Sequence, residues 1–71
     1  MRFVAIDLET ANPNLSSICQ IGVVRFEDGK ETASEMVYVD PQDYFDAYNI
    51  AIHGIDAGHV FGAKTAAEVC G

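Results

Sequence analysis

Two carboxylates one residue apart stand near the start of the chain, where the apolar run Phe3–Leu8 contains Asp7 and is followed by Glu9. Side chains alternate between the faces of a β-strand, so both acids point the same way if this run is a strand. Like charges on one face repel and lose hydration, and a cation between them removes both penalties. Carboxylates at this spacing suit Mg²⁺ or Mn²⁺. The pair therefore predicts a metal-binding strand end, although many strands end in polar residues that simply meet water.

The length and charge of the chain limit its size and its partners. It has 71 residues and a net charge of −7, so it forms one small domain or part of one. Its few basic residues do not cluster, whereas a surface that binds phosphate backbones usually carries a basic patch. Composition alone predicts a soluble acidic protein with a small partner or a metal ion. A nucleic-acid substrate would need metal ions, or residues elsewhere, to offset the repulsion.

The lack of a secretory signal at the N-terminus and the small number of cysteines predict a cytoplasmic location. The N-terminus lacks the basic, apolar and cleavage segments of a secretory signal, and no apolar run is long enough to cross a bilayer. Cys19 and Cys70 are too few for a disulfide framework, and with His53 and His59 they do not show zinc-site spacing. We therefore expect reduced thiols, a cytoplasmic location and no membrane contact.

Apolar patterning and turn residues predict an antiparallel meander of three strands. Residues 2–8 form a nearly continuous apolar run, which is typical of a central strand buried on both faces. A loop at 10–17 leads to a second strand at 17–27, which is rich in β-branched residues. Asp28-Gly29 predicts a hairpin turn into a third strand at 31–39.

Capping residues predict short helices after the meander. Asp46 is positioned to begin one helix, with Gly54 near its end, and Asp56 is positioned to begin another. Thr65 and Glu68 form the capping-box pattern that starts a further helix. That helix begins only a few residues before the sequence stops, so we expect the sequence to end inside an element.

Three segments, in order, resemble the motifs of DEDD-superfamily 3′–5′ exonucleases. Val4–Asn12 resembles the first exonuclease motif, Ser17–Val24 the strand after it, and Asn49–Ile55 the family's Asn-x-x-x-His-Gly-Ile segment. The proofreading epsilon subunit of bacterial DNA polymerase III is a member that these motifs resemble. The resemblance implies an α/β, RNase H-like fold, of which residues 1–71 would be the N-terminal part of a single domain, with the first three strands and the opening of the first long helix.

The resemblance also implies a reaction, a cofactor and a set of site residues. Family members hydrolyse the terminal phosphodiester of DNA or RNA and release a nucleoside monophosphate. Asp7 and Glu9 would be catalytic and would hold two Mg²⁺ or Mn²⁺ ions. The family's other acids and its histidine base have no counterpart in these residues, so the chain alone is expected to be inactive. The implied substrate-binding residues are Thr10, Ala11, Asn12, His53, Gly54 and Ile55.

Several of these assignments have a structural alternative. Thr10 also fits a loop cap, Asn12 an Asx turn before a proline, His53 a hydrogen-bonded structural histidine, and Ile55 a core residue. For the whole chain, the resemblance implies an exonuclease with a nucleic-acid 3′ end as substrate and a DNA polymerase as partner. The alternative is a non-catalytic interaction module. Such a module would self-associate through the exposed apolar edge of its first strand, Phe3–Leu8.

Overall fold

The fold is a three-stranded sheet followed by short helices. A computed structural model describes the backbone of residues 1–70 and the side chains of residues 1–69. The sheet is antiparallel with strand order β1-β2-β3, which confirms the predicted α/β arrangement of a meander followed by helices. The elements are β1 (Arg2–Thr10), β2 (Ile18–Glu27), β3 (Lys30–Tyr38), α1 (Ala47–His53), α2 (Ala57–Val60) and α3 (Ala66–Cys70).

Turn and cap residues set the element boundaries where the sequence predicted them. Asp28 and Gly29 adopt φ values of 50° and 81°, as a two-residue turn requires if its twist is to match that of the strands. The Asp46 carboxylate accepts the Tyr48 amide at 3.1 Å and so caps the start of α1. Gly54, with φ of 75°, ends the same helix. No helix in the described part of the chain is long and apolar enough to span a membrane.

Hydrogen-bonded capping boxes begin α2 and α3. In α3, Thr65 donates its amide to the Glu68 carboxylate at 2.9 Å and accepts the Glu68 amide at 3.3 Å, as the sequence predicted. In α2, the Asp56 carboxylate accepts the Gly58 amide at 2.9 Å and lies 3.0 Å from Nδ1 of His59. The His59 hydrogen bond, followed by that from Gly58, lowers the pKa of Asp56. His59, to which the sequence assigned no role, is thus part of a helix cap.

The core lies at one end of the sheet, and the faces of β1 are largely open. Phe3 on one face and Ile6 on the other are 49% and 67% exposed. The prediction that this run is a central strand buried on both faces is therefore wrong for the described residues. The central strand is β2, and β1 lies at the edge because no described element pairs with its outer side. The buried cluster consists of Ala11, Cys19, Ile55 and Val60, with Tyr38, Phe45 and Ala63 packed against it.

Candidate active site

The paired acids lie on one face of β1, and the strand register defines their neighbours. Asp7 pairs with Gly22, and Glu9 pairs with Gln20, on β2. Residues directly opposite each other in an antiparallel ladder share a face, so all four lie on the same side of the sheet. Asp7 is exposed and Glu9 is half-buried, so solvent and ions can reach both side chains. Gln20 is thus a polar neighbour of Glu9, a position that follows from the strand register.

A glycine opposite Asp7 leaves open space beside its carboxylate. Asp7, Gly22 and Met36 form one row across the three strands. A groove of about 450 Å³ runs over this row and is also lined by Val24 and Ser34. A Cβ atom at Gly22 would lie 4.0 Å from the Cβ of Asp7, so a methyl group fits there but a larger side chain would occupy the groove. The sequence predictions gave Gly22 no role, although a glycine inside a strand pattern is a signal of such a close approach.

The donor atoms on this face fit part of a site for a hard divalent cation. Asp7 and Glu9 offer carboxylate oxygens, which Mg²⁺ and Mn²⁺ prefer, and Mg²⁺ commonly binds only one or two protein carboxylates together with water and substrate oxygens. No group of three or more His, Cys, Asp or Glu side chains that could hold a metal occurs among the described residues. Metal binding by Asp7 and Glu9 therefore stays a prediction.

Cys19 lies near the acids but is not a nucleophile or a ligand in this arrangement. The side chain is fully buried, and burial raises the pKa of its thiol, with the negative charge of Glu9 raising it further. Metal binding and nucleophilic attack both need the thiolate, which these two effects disfavour. Cys19 therefore contributes packing to the core.

Ala11 and Asn12 are buried parts of the loop that follows β1. The Ala11 amide donates to the Ser17 carbonyl at 2.8 Å. The Asn12 side chain is 1% exposed; it donates to the Tyr44 carbonyl at 3.0 Å and accepts the Asn14 amide at 2.9 Å. The second of these bonds is the Asx turn that the sequence offered as an alternative. A nucleotide could reach these groups only by displacing the hydrogen bonds, and substrate contact by either residue stays a prediction.

His53 uses both ring nitrogens within the protein. Nδ1 accepts the Ile55 amide at 3.0 Å, and Nε2 lies 2.8 Å from the Thr10 carbonyl. A carbonyl can only accept, so the hydrogen-bond network assigns the proton to Nε2 and makes the ring the neutral Nε2–H tautomer. Asn49 donates its side-chain amide to the same carbonyl at 3.2 Å. This geometry supports the structural alternative for His53, and its contact with a substrate also stays a prediction.

Gly54 and Ile55 serve the fold through backbone conformation and packing. Gly54 has the positive φ that ends α1, and Ile55 is 4% exposed within the core. Their predicted contact with a nucleotide is likewise untested. Of the two predicted metal-binding acids, Asp7 lines the open groove, and Glu9 lies on the same face of β1, two residues further along the strand.

Comparison with known families gives this site its chemical context. The model of the family described as Exonuclease matches residues 4–70, from β1 through α3. The chain belongs to this exonuclease family. Membership supports the resemblance to the DEDD exonuclease superfamily and implies a nuclease-type hydrolase domain, in a family whose domains generally depend on divalent metals. No curated protein and no solved structure matches the chain.

Proposed function

We propose that Asp7 and Glu9 are the first two acids of a metal-dependent 3′–5′ exonuclease site that hydrolyses the terminal phosphodiester of DNA or RNA. The supporting observation is that both carboxylates share one accessible face beside a groove, in a chain of the exonuclease family. Residues 1–71 would form the N-terminal part of the domain, and the remaining acids and the general base would come from outside this sequence. Bound Mg²⁺ or Mn²⁺ would supply charge stabilisation at the reacting phosphate.

The role of the chain's own residues in this proposal is to hold and orient cations. Asp7 is solvent-exposed, so a hydrated ion can approach it from the groove. Glu9 is half-buried and less well hydrated, which strengthens its attraction for a cation. The chain carries a net charge of −7, so without cations the acid pair would repel a phosphate. Cation binding at the pair is therefore what would allow a nucleic-acid 3′ end to approach this face.

The order of the three motifs supports a relationship to the proofreading epsilon subunit of bacterial DNA polymerase III. On that basis we propose a DNA polymerase as the protein partner and a nucleic-acid 3′ end as the substrate. The reduced state that we propose for the buried Cys19 thiol is compatible with a cytoplasmic location.

Manganese titration of the ¹⁵N-labelled chain tests the metal site. We expect paramagnetic broadening to begin at the Asp7 and Glu9 amides and to disappear in the Asp7→Asn variant. Asp28→Asn is the matched control, because Asp28 is exposed at the hairpin, at the other end of β1. Broadening that survives Asp7→Asn, or that centres on the acids of residues 40–46, would contradict the proposal.

A nuclease assay separately tests the proposed division of the domain. The 71-residue chain with Mg²⁺ or Mn²⁺ should give no useful turnover of a 3′-labelled single strand. A longer protein that contains these residues and the family's further acids should remove nucleotides from the 3′ end and lose that activity in Asp7→Ala. Turnover by the short chain that is lost in Asp7→Ala would show that the remaining acids are not required.

A second candidate function, self-association, rests on the open edge of β1. The Asp28 amide donates to the Met1 carbonyl at 2.9 Å, which identifies Met1 and Asp28 as a hydrogen-bonded pair. Hydrogen-bonded and non-hydrogen-bonded pairs alternate along an antiparallel ladder. The register between β1 and β2 has no shift before Glu9, so Val4, Ile6 and Leu8 form non-hydrogen-bonded pairs with β2. Their backbone N–H and C=O groups therefore point away from β2. No described residue pairs with this outer edge.

The occupant that we propose for this edge is a second copy of the chain, running antiparallel. With Ile6 opposite Ile6 of the second copy, and Val4 opposite its Leu8, side chains that are 48–67% exposed become neighbours on one face. In this register Asp7 faces an alanine of the other copy, so no carboxylates oppose each other. The β3 edge is a poorer candidate because it carries Lys30, Glu31 and Glu35, and charged residues discourage edge pairing.

Proline at position 6 distinguishes edge pairing from other modes of association. The Ile6 amide points outward, so Ile6→Pro removes an edge donor while sparing the bonds between β1 and β2. Size-exclusion chromatography with light scattering should show concentration-dependent association of the parent chain and a monomer for Ile6→Pro. Ile6→Thr, which keeps the donor and the β-branch, should still associate. Edge pairing would be contradicted by a parent chain that stays monomeric at high concentration, or by an Ile6→Pro variant that still associates.

A further inference from the structure

The sheet ladder becomes irregular immediately after the second acid of the pair. Between Glu9 and Thr10 the register with β2 shifts, so Thr10 pairs with Ile18 while Glu9 pairs with Gln20. The extra residue is Cys19 on β2, and a bulge of this kind disrupts the ladder next to it. Thr10 therefore has weaker support from β2 than the residues before it, so the orientation of the neighbouring Glu9 carboxylate depends on what else restrains the backbone at Thr10.

The restraint comes from one face of α1. His53 Nε2 donates to the Thr10 carbonyl at 2.8 Å, and Asn49 Nδ2 lies 3.2 Å from the same oxygen and 3.4 Å from Thr10 Oγ1. Asn49 and His53 are four residues apart, so they are neighbours on the surface of the helix. The start of α1 is tied to the same loop, because the Asp46 amide donates to the Ala11 carbonyl at 2.8 Å.

We propose that Asn49 and His53 are positioning residues for Glu9: together they clamp the Thr10 carbonyl and so hold the Glu9 carboxylate in its orientation beside Asp7. This inference rests on the proposed metal-binding function of the acid pair and assigns a role within it to α1. It differs from the substrate contact expected for His53, because the ring acts on the protein backbone.

The clamp is connected to the core through the second nitrogen of the histidine ring. Nδ1 of His53 accepts the Ile55 amide, and Ile55 is 4% exposed within the buried cluster. The ring is therefore held at both nitrogens, and turning it over would break both bonds. A direct line of contacts runs from the core through His53 to Thr10, the residue next to Glu9.

The same geometry argues against His53 acting on a water molecule or a metal ion. A general base or a metal ligand needs an unprotonated nitrogen that is free to accept or coordinate. In His53 the unprotonated nitrogen is Nδ1, which the Ile55 amide occupies, and Nε2 carries the proton donated to Thr10. Positioning is the role that remains compatible with both hydrogen bonds.

Manganese affinity of the full 71-residue chain, followed by NMR broadening, measures the effect of the clamp. Groups that orient metal ligands typically change metal affinity by about 10–100-fold when removed, and for a pair that solvent can reach we expect about tenfold weaker binding in His53→Ala. Asn49→Ala should weaken binding in the same direction. His53→Gln, which keeps an N–H near the position of Nε2, should restore most of the affinity. Ile52→Ala, at a 67% exposed position of the same helix, should bind like the parent chain.

Two further readouts separate positioning from a general loss of structure. The Glu9 amide signal should lose its broadening in His53→Ala more than the Asp7 signal does, because only Glu9 adjoins the clamped carbonyl. The ¹⁵N shifts of the parent ring should report the neutral Nε2–H tautomer. Circular dichroism establishes that each variant is folded, and Asn49→Ala carries the test if His53→Ala does not fold.

The possible failures are distinguishable. Absence of broadening at Asp7 in the parent chain would overturn the proposed metal site and, with it, the purpose of the clamp. Broadening at Asp7 and Glu9 that is unchanged in folded His53→Ala and Asn49→Ala would overturn the clamp alone. Failure of folded His53→Gln to bind better than His53→Ala would also overturn it, because the restored donor is the feature that the proposal requires.

Discussion

Replacing Asn12 by alanine tests whether the loop after the acids is held together by a buried amide. The Asn12 side chain is 1% exposed and makes two hydrogen bonds, because its amide group donates to the Tyr44 carbonyl and its carbonyl oxygen accepts the Asn14 amide. Asn12→Ala removes both bonds and leaves the Tyr44 carbonyl and the Asn14 amide without these partners. The expected result is a marked loss of stability, independent of any substrate.

The magnitude follows from the number of bonds and the degree of burial. A typical hydrogen bond contributes about 1 kcal/mol net, and the partner groups of Asn12 lie on exposed residues where water can replace them in part. We therefore expect Asn12→Ala to lower the free energy of unfolding by about 2 kcal/mol. A chain of this size has a total stability of roughly 4–10 kcal/mol, so the variant should melt about 8–16 °C below the parent chain.

Urea unfolding followed by far-UV circular dichroism measures this difference. Asn14→Ala is the matched control in the same loop, because the Asn14 side chain is exposed and bonds only to nearby Ser16. The control should cost less than about 1 kcal/mol. A variant Asn12→Ala whose stability stays within about 0.5 kcal/mol of the parent chain would refute the structural role and favour direct substrate contact.

Three further outcomes are expected. In a variant whose other cysteine is serine, Cys19 should react with a disulfide reagent much more slowly in the folded chain than in urea, because burial and then the charge of Glu9 raise the pKa of its thiol. Glu9→Gln should speed the slow reaction of the folded chain, and fast reaction in the folded parent would contradict this. Gly22→Val should fill the groove beside the first acid and weaken manganese binding, whereas Gly22→Ala should bind like the parent chain. The pKa of Asp56 is lowered in the folded chain from its usual 3.8. The stability that the Asp56 cap contributes should therefore be fully present above pH 3.8 and be lost as the pH falls through the lowered pKa. NMR titration of the Asp56 carboxyl measures its pKa, which His59→Ala should raise.

The short-range features of the fold were predictable because neighbouring residues determine them. The Asp28-Gly29 hairpin, the Asp46 cap and the glycine that ends α1 each depend on backbone preferences within a few residues. The shared face of the two acids follows from strand alternation in the same way. Burial of the first strand was not predictable from its apolar composition, since burial also requires a covering element, and β1 has none among the described residues.

By itself, the sequence determined the order of elements, the turn and cap residues between them and the acid pair, because these depend on local geometry and on alternation along one strand. Only the tertiary structure decided the use of Asn12 and His53, whose partners lie 32 and 43 residues away in the chain. The physical reason is that a polar side chain in a motif suits a substrate and a backbone carbonyl equally well. Which of the two it contacts depends on what the fold brings within hydrogen-bonding distance.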